Sequence, residues 1–336
     1  MRLSRHHLRW LAVAASSALF MFVVARAKPE VILDKICLLG WGFALLILLS
    51  GIRSLLRAVA WSYCVPTDGR HPVPRELFAP RLVSEALNDA MPLGPVVGEA
   101  AKVVAISRFI PAQAGTSSVL LEDLIYSFAA LLFMLSGIAL ALFRLTTPRA
   151  LQWMAATLLS GLLAGGLAVY WMARRRILIL GGVLDYLTRA GLRWGFLERH
   201  EHQLRVIECD MCDFLVAHKR LFSLVFAIEF ATNFTGIAEA YLVLKLTAAH
   251  ASLTAAYVVE AVNRAVQLGF SFIPFQIGIQ EGAAAATLQA FGYAASEGVS
   301  LSILRKMRTV FWTALGLLLA ARYAIPGSTR QESSAS

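Results

Sequence analysis

The chain has 336 residues, of which 58% are hydrophobic and 15% are charged, and its formal net charge at pH 7 is +10. A soluble domain carries about 25% charged residues, so this composition excludes an ordinary water-soluble fold. No nucleic-acid-binding motif accompanies the basic excess, which we assign to loops that orient helices and meet anionic lipid headgroups. We expect an all-α polytopic membrane protein whose partners are membrane lipids, with anionic headgroups at the cytoplasmic basic loops and no nucleic acid.

Six long apolar runs are predicted to span the membrane, because a helix needs about 20 apolar residues to cross roughly 30 Å of hydrocarbon. The first run follows basic residues and resembles a signal peptide, but we interpret it as an uncleaved span. Most of the 31 Lys and Arg residues fall on the cytoplasmic side if the N-terminus is inside, which predicts a bacterial cytoplasmic-membrane protein with both termini in the cytoplasm. The predicted spans are residues 9–26, 36–60, 116–143, 150–173, 219–247 and 300–323.

The chain is predicted to form one transmembrane domain over residues 1–330, followed by a disordered tail at 331–336. Two repeats are expected within it, at about 36–143 and about 219–323. Residues 176–218 connect them and carry apolar side chains at helical spacing, with arginines and acids on the opposite faces. This pattern is typical of amphipathic helices on the cytoplasmic membrane surface, which either bind anionic lipid or pack against the spans.

Two further apolar segments, 80–110 and 252–292, are broken near the middle by proline and glycine. Each half is too short to cross the bilayer, so we predict two re-entrant hairpins of broken helices. Three predicted spans separate the segments, and the hairpins therefore enter from opposite faces. This arrangement is an inverted-topology repeat, a common plan among transporters, with the binding site near the midplane.

Both breaks share a proline followed seven residues later by glutamate: Pro92 with Glu99, and Pro274 with Glu281. Irregular backbone at membrane depth survives only inside protein or beside water, so the breaks predict a cavity. We expect each glutamate in the first turn of a half-helix, where it either caps the helix or contacts substrate. The residues expected to shape the breaks are Pro92, Gly94, Gly98, Pro274, Gly278 and Gly282.

A recurring set of acid, amide, proline and glycine residues marks the two segments. The early set is Glu85, Asn88, Pro92, Gly98 and Glu99. The late set is Phe270 or Phe272, Pro274, Gly278, Glu281 and Gly282. In these residues the chain resembles, over roughly 35–323, the transmembrane region of lysylphosphatidylglycerol synthetases and the related stand-alone flippase-like membrane proteins. The Gln280-Glu281-Gly282 triplet and the Glu85–Asn88 pair are nearest to the branch associated with hopanoid synthesis.

The resemblance implies a flippase-like protein that moves or binds a polar-headgroup or isoprenoid lipid at a midplane cavity. It does not imply lysyl transfer, which the synthetases perform in a separate soluble domain that we expect this chain to lack. Two alternatives stay open: an ion-coupled transporter of a small soluble solute, and a non-transporting lipid-binding scaffold for envelope-lipid synthesis. The candidate substrate- or ion-binding residues are Glu99, Glu281, Asn88, Glu85, Gln280, Asp123 and Glu122.

Enzymatic signatures are missing from the sequence. None of the seven histidines lies deep in a predicted span, and neither a zinc-protease motif nor a Walker A loop is present. We therefore expect no enzyme and no cofactor. Cys209 and Cys212 form a single CxxC near His202, which is a weak metal signature, and we predict no metal site.

Ionisable residues inside predicted spans cost about 2.5–3.5 kcal/mol each on insertion scales, so they are expected to face a partner or a cavity. Glu260 and Arg264 are four residues apart on a predicted helix and are expected to pair. The basic residues Arg305, Lys306 and Arg308 are expected either to reach the membrane interface or to attract a phosphate headgroup.

Overall fold

The computed structural model describes seven continuous stretches of the chain and scattered residues between 206 and 218. The stretches are residues 40–65, 72–91, 94–144, 149–175, 219–248, 250–270 and 278–324. The first predicted span, most of the predicted amphipathic segment and the C-terminal tail lie outside the described residues. Pro92 and Pro274, the two prolines of the predicted breaks, also lie outside them.

The described part of the chain is helical, which confirms the all-α prediction there. Its helices are α1 (Trp41–Cys64), α2 (Pro74–Ala90), α3 (Gly94–Ile106), α4 (Ala112–Arg144), α5 (Arg149–Arg174), α6 (Lys219–Thr247), α7 (Leu253–Gly269), α8 (Ile279–Ala290) and α9 (Ala295–Ala324). By length and composition, α1, α4 and α6 are able to cross a membrane. The chain is therefore a multi-pass membrane protein.

The long helices agree closely with the predicted spans. The span predicted at 219–247 is α6, and the span predicted at 150–173 lies within α5. The helix α4 has 33 residues and is about 50 Å long, so it extends beyond the hydrocarbon core. The helix α9 starts five residues before its predicted span and carries Arg305 and Arg308 in its buried part.

Each broken segment forms two short helices that pack together, α2 with α3 and α7 with α8. The first break precedes Gly94, where an added Cβ would run into the backbone carbonyl of Asn88. The second break ends at Gly278, whose φ of 89° lies in the left-handed region that favours glycine. Glycine therefore permits the reversal at both places, and the predicted interruption of the two segments is confirmed.

The two halves of the chain interlock through reciprocal helix contacts. The helix α2 packs against α9 of the other half, and α7 packs against α4, while α1 lies against α6. Two apolar clusters support these contacts. One surrounds Leu244 and Leu301, and the other surrounds Trp61 and Ile125. As a result, the polar faces of the long helices are enclosed at the centre of the bundle.

The α2–α9 contact depends on Gly316. A Cβ at this position would collide with the backbone carbonyl of Leu82 and would lie 2.6 Å from the Cβ of Ala86. We expect Gly316→Val to destabilise the protein by about 1–3 kcal/mol, because the two helices would have to separate. The thermal unfolding midpoint of the detergent-purified chain measures this effect.

The matched control is Gly161→Val on α5, since a Cβ at Gly161 meets no atom within 4 Å. Its unfolding midpoint should stay near that of the wild type. Equal losses in the two variants would mean that backbone propensity, rather than the α2–α9 contact, dominates the effect of replacing these glycines.

Candidate functional site

The centre of the site is the carboxylate of Glu122 on α4, which is fully buried. It accepts hydrogen bonds from Nη2 of Arg57 at 3.0 Å, Nη1 of Arg81 at 3.1 Å and Nζ of Lys102 at 3.1 Å. These cations come from α1, α2 and α3. One carboxylate thus connects the first long helix and both helices of the first hairpin to α4.

Two more carboxylates balance the arginines that meet at Glu122. Nε of Arg81 lies 3.2 Å from Oε1 of Glu85, whose other oxygen accepts a hydrogen bond from Ser54 at 3.0 Å. Nε of Arg57 lies 3.3 Å from Oε2 of Glu229 on α6, which is an ion pair without hydrogen-bond geometry. The network therefore extends from the first half of the chain into α6.

Lys102 lies on α3, belongs to the same network and is almost completely buried. Besides Glu122, its Nζ lies 2.8 Å from Glu99 and 3.3 Å from Asp123. Glu99 is not in the first turn of its helix as predicted, because Gly94 lets α3 begin five residues earlier. Glu99 and Asp123 keep about 30% of their side-chain surface exposed. They form the accessible edge of the network.

The second half of the chain carries a separate set of ion pairs. Glu260 on α7 lies 3.1 Å from Nε of Arg264, which confirms the predicted pair, and 2.6 Å from Nη2 of Arg305. Arg305 also donates to the backbone carbonyl of Gly236 at 3.0 Å. Arg305 therefore points into the bundle, and the expectation that it would reach the interface or a headgroup is wrong because Glu260 binds it there.

Arg308 on α9 is also buried, and it pairs with Glu239 on α6. The interface prediction is wrong for Arg308 as well, for the same electrostatic reason. Glu239 on the neighbouring helix neutralises the guanidinium inside the bundle, where a cation without such a partner would be strongly unfavourable.

Tyr126 on α4 connects the two sets of charges. The guanidinium of Arg57 lies over its ring at 3.5 Å from the centroid, a cation–π geometry. Its hydroxyl accepts a hydrogen bond from Nη1 of Arg264 at 2.9 Å. One aromatic side chain therefore contacts a cation from each half of the chain.

Glu281 lies in the first turn of α8, as predicted. Its Oε2 accepts a hydrogen bond from the backbone N–H of Gly278 at 2.8 Å, which is a helix cap. Its Oε1 pairs with Lys306 on α9. The backbone carbonyl of the neighbouring Gln280 accepts a hydrogen bond from Ser302 at 3.2 Å. Capping and a second polar contact thus coexist at Glu281.

The structure brings some of the predicted site residues together and separates others. Glu85, Glu99, Glu122 and Asp123 share one network, whereas Glu281 lies in a separate pair. Asn88 is exposed on α2. Gly98 lies inside α3, where an added Cβ would come 2.7 Å from the carbonyl oxygen of Ser84, and Gly282 lies inside α8 with open space beside it.

Sequence reasoning missed the basic side of the network. Arg57, Arg81 and Lys102 project from three different helices into the bundle, where they surround Glu122. The four-residue spacing of Arg53 and Arg57 inside a predicted span was the available signal, because it places two cations on one helix face.

A small, partly open cleft lies between α1, α2 and α9. Arg53 of α1, Glu85 of α2 and polar residues of α9 all line this cleft. The lining residues are Ser50, Arg53, Leu82, Glu85, Ala86, Asp89, Arg308, Thr309, Trp312 and Thr313.

Comparison with known proteins gives one match. The family model described as the lysylphosphatidylglycerol synthase TM region matches residues 9–316, which is most of the chain. No curated protein and no solved structure matches. The matched range includes both hairpins and every residue of the two charge networks.

We expect Glu122→Gln to destabilise the protein by about 3–5 kcal/mol, because three buried cations lose the carboxylate they share. Denaturant-induced unfolding of the detergent-purified chain, followed by tryptophan fluorescence, measures the loss.

Asp123→Asn is the matched control, since Asp123 is next in sequence, is about 30% exposed and contacts only Lys102 among the described cations. Its loss should stay below about 1 kcal/mol. If the two variants were equally stable, the shared carboxylate would not hold the helices together.

Proposed function

Because the chain belongs to the lysylphosphatidylglycerol synthase TM region family, we propose that it handles membrane lipids by a flippase-like mechanism. It shelters a polar lipid headgroup inside the helix bundle while the hydrophobic tail stays in the surrounding lipid. The observation that carries this proposal is the set of buried charges in the bundle, together with the cleft beside them.

The physical argument starts from the free energy of placing charge in a bilayer. Ionisable side chains inside a membrane are rare and usually line a substrate or ion path. Packing alone does not require them, since apolar side chains of similar volume hold helices together at least as well. A network with a buried centre at Glu122 and an accessible edge at Glu99 and Asp123 suits a protein that receives a charged group from outside.

We infer that the two halves form an inverted repeat, with the hairpins α2–α3 and α7–α8 entering from opposite faces. The reciprocal packing of α2 on α9 and of α7 on α4 supports this inference. So do the breaks at Gly94 and Gly278, because irregular backbone at membrane depth needs protein or water beside it. The site would then be reachable from either side in turn.

In the proposed mechanism, the hairpins move when their ion pairs exchange partners. Lys102 connects the first hairpin to α4, and Lys306 connects α9 to the second hairpin through Glu281. Glu99 and Glu281 keep about 30% and 22% of their side-chain surface exposed. A headgroup phosphate that replaced Glu281 at Lys306 would release the second hairpin from α9, which is a change between two discrete states. At Lys102, a phosphate that replaced Glu99 would compete with Glu122 and Asp123 of α4 for the same ammonium.

We expect Glu99→Gln and Glu281→Gln each to lower the initial rate of phospholipid translocation by about tenfold, the factor that corresponds to about 1.4 kcal/mol. The loss follows because the amide cannot replace the charge-assisted contact to lysine. The assay follows fluorescently labelled phospholipids in vesicles that contain the purified chain.

Glu297→Gln is the control that separates capping from transport. Glu297 accepts a hydrogen bond from the backbone N–H of Ala294 at 3.2 Å, three residues before it, as Glu281 does from Gly278. If Glu297→Gln slowed translocation as much as Glu281→Gln, capping would explain the effect. Full activity of the double variant Glu99→Gln/Glu281→Gln would refute the mechanism.

A further inference from the structure

The cleft between α1, α2 and α9 is lined by four ionisable side chains, two basic and two acidic. Two of the four are already engaged. Arg308 pairs with Glu239, and Glu85 pairs with Arg81 at 3.2 Å. The two that remain are Arg53 on α1 and Asp89 on α2.

Neither Arg53 nor Asp89 forms an ion pair or a hydrogen bond with another described residue. Glu239 and Glu85 are close enough to act on the charge of Arg53, but both are bound to other cations. A cation and an anion thus face one cleft without touching each other. Leaving two such charges without partners is unfavourable in a membrane protein, and a ligand of matching charges would relieve both.

The α9 side of the cleft adds neutral donors. Thr313 is 2% exposed, and its Oγ1 has no hydrogen-bond partner in the described part of the chain. Nε1 of Trp312 is likewise buried and without a partner there. Thr309 and Ser50 bring further hydroxyl groups. An indole N–H and hydroxyl groups beside a guanidinium suit the oxygens of a phosphate.

We propose that this cleft binds a group that carries both a phosphate and an ammonium, such as the headgroup of phosphatidylethanolamine. The phosphate contacts Arg53, Trp312 and Thr313, and the ammonium contacts Asp89. The proposal rests on the proposed lipid-handling function and names the headgroup class for it.

The charge balance of the lining selects a zwitterion. The two basic residues, Arg53 and Arg308, are matched in number by Glu85 and Asp89, so the lining has no net formal charge. A purely anionic headgroup would meet Arg53, but Asp89 would repel it. A purely cationic headgroup would meet Asp89 but would leave Arg53 without an anion. Only a ligand with both charges satisfies the cation and the anion together.

The surface beside the cleft favours a lipid over a free zwitterion. Ile52 and Phe311 are the chain neighbours of the lining residues Arg53 and Trp312, and they are 41% and 46% exposed. Their outward apolar side chains offer a surface for an acyl chain that leaves the cleft into the bilayer. A soluble phosphoethanolamine would gain nothing from that surface.

The test uses the full chain in nanodiscs that contain equal amounts of phosphatidylethanolamine and phosphatidylglycerol, with bound lipid identified by native mass spectrometry. The wild type should retain phosphatidylethanolamine in preference to phosphatidylglycerol. Asp89→Asn should abolish this preference while phosphatidylglycerol is still retained, since only the ammonium contact is lost. Arg53→Gln should lower retention of both lipids by about tenfold, because both carry the phosphate.

Three further variants and probes make the test decisive. Thr313→Val removes one phosphate donor with little change of shape and should weaken both lipids equally. Arg75→Gln, an exposed arginine on α2, should change nothing. Soluble phosphoethanolamine is the competitor that tests for a soluble ligand. If it competed as effectively as phosphatidylethanolamine, the contacts to phosphate and ammonium would stand, but the ligand of the cleft would be a soluble zwitterion. An Asp89→Asn variant that kept the wild-type preference would overturn the proposal.

The same variants, measured also in the vesicle translocation assay, separate this proposal from the proposed function. Translocation without any preference for an ammonium headgroup would keep the lipid-handling function and reject the cleft assignment. A preference that disappears in Asp89→Asn, in a chain that translocates no lipid, would keep the cleft assignment and reject translocation.

Discussion

The fold depends on a carboxylate that protein atoms enclose completely. Glu122 is buried in the bundle, and its charge is stable there only because three cations surround it. Those cations belong to α1, α2 and α3, so neutralising one residue requires four helices to take up a single relative arrangement. Apolar packing between helices in lipid is weakly directional, since lipid tails are as apolar as leucine. Charge pairing supplies the specificity that packing lacks.

The two halves of the chain are held together by opposite charges on facing helices. Arg57 of α1 meets Glu229 of α6, and within the second half Arg308 of α9 meets Glu239 of α6. Tyr126 adds a contact that tolerates movement, because a ring face and a hydroxyl keep their partners over a wider range of geometry than a short ion pair. This combination suits a bundle whose halves rock against each other while the central charges stay neutralised.

Local features of the structure were predictable from the sequence, and distant ones were not. Helix length follows from apolar run length, the breaks follow from Pro and Gly, and Glu260–Arg264 follows from helical spacing. The position of Glu99 was missed because glycine allows α3 to begin early, close against α2. The partners of Glu122 could not be predicted from the sequence, for a different reason. Arg57 lies 65 residues away in sequence, and which faces of α1 and α4 meet is decided by tertiary packing.

The pairing of residues so far apart in sequence has a consequence for biosynthesis. Arg57, Arg81 and Lys102 are all translated before Glu122, and Glu239 is translated 69 residues before Arg308. A helix released singly into lipid would carry its charge unneutralised, at roughly 2.5–3.5 kcal/mol for each residue near the bilayer centre. A route in which α1 and the first hairpin meet α4, and α6 meets α9, before they enter the lipid would avoid this cost. For this chain, the order in which ribosomes deliver charges therefore bears on the route into the membrane, alongside hydrophobicity.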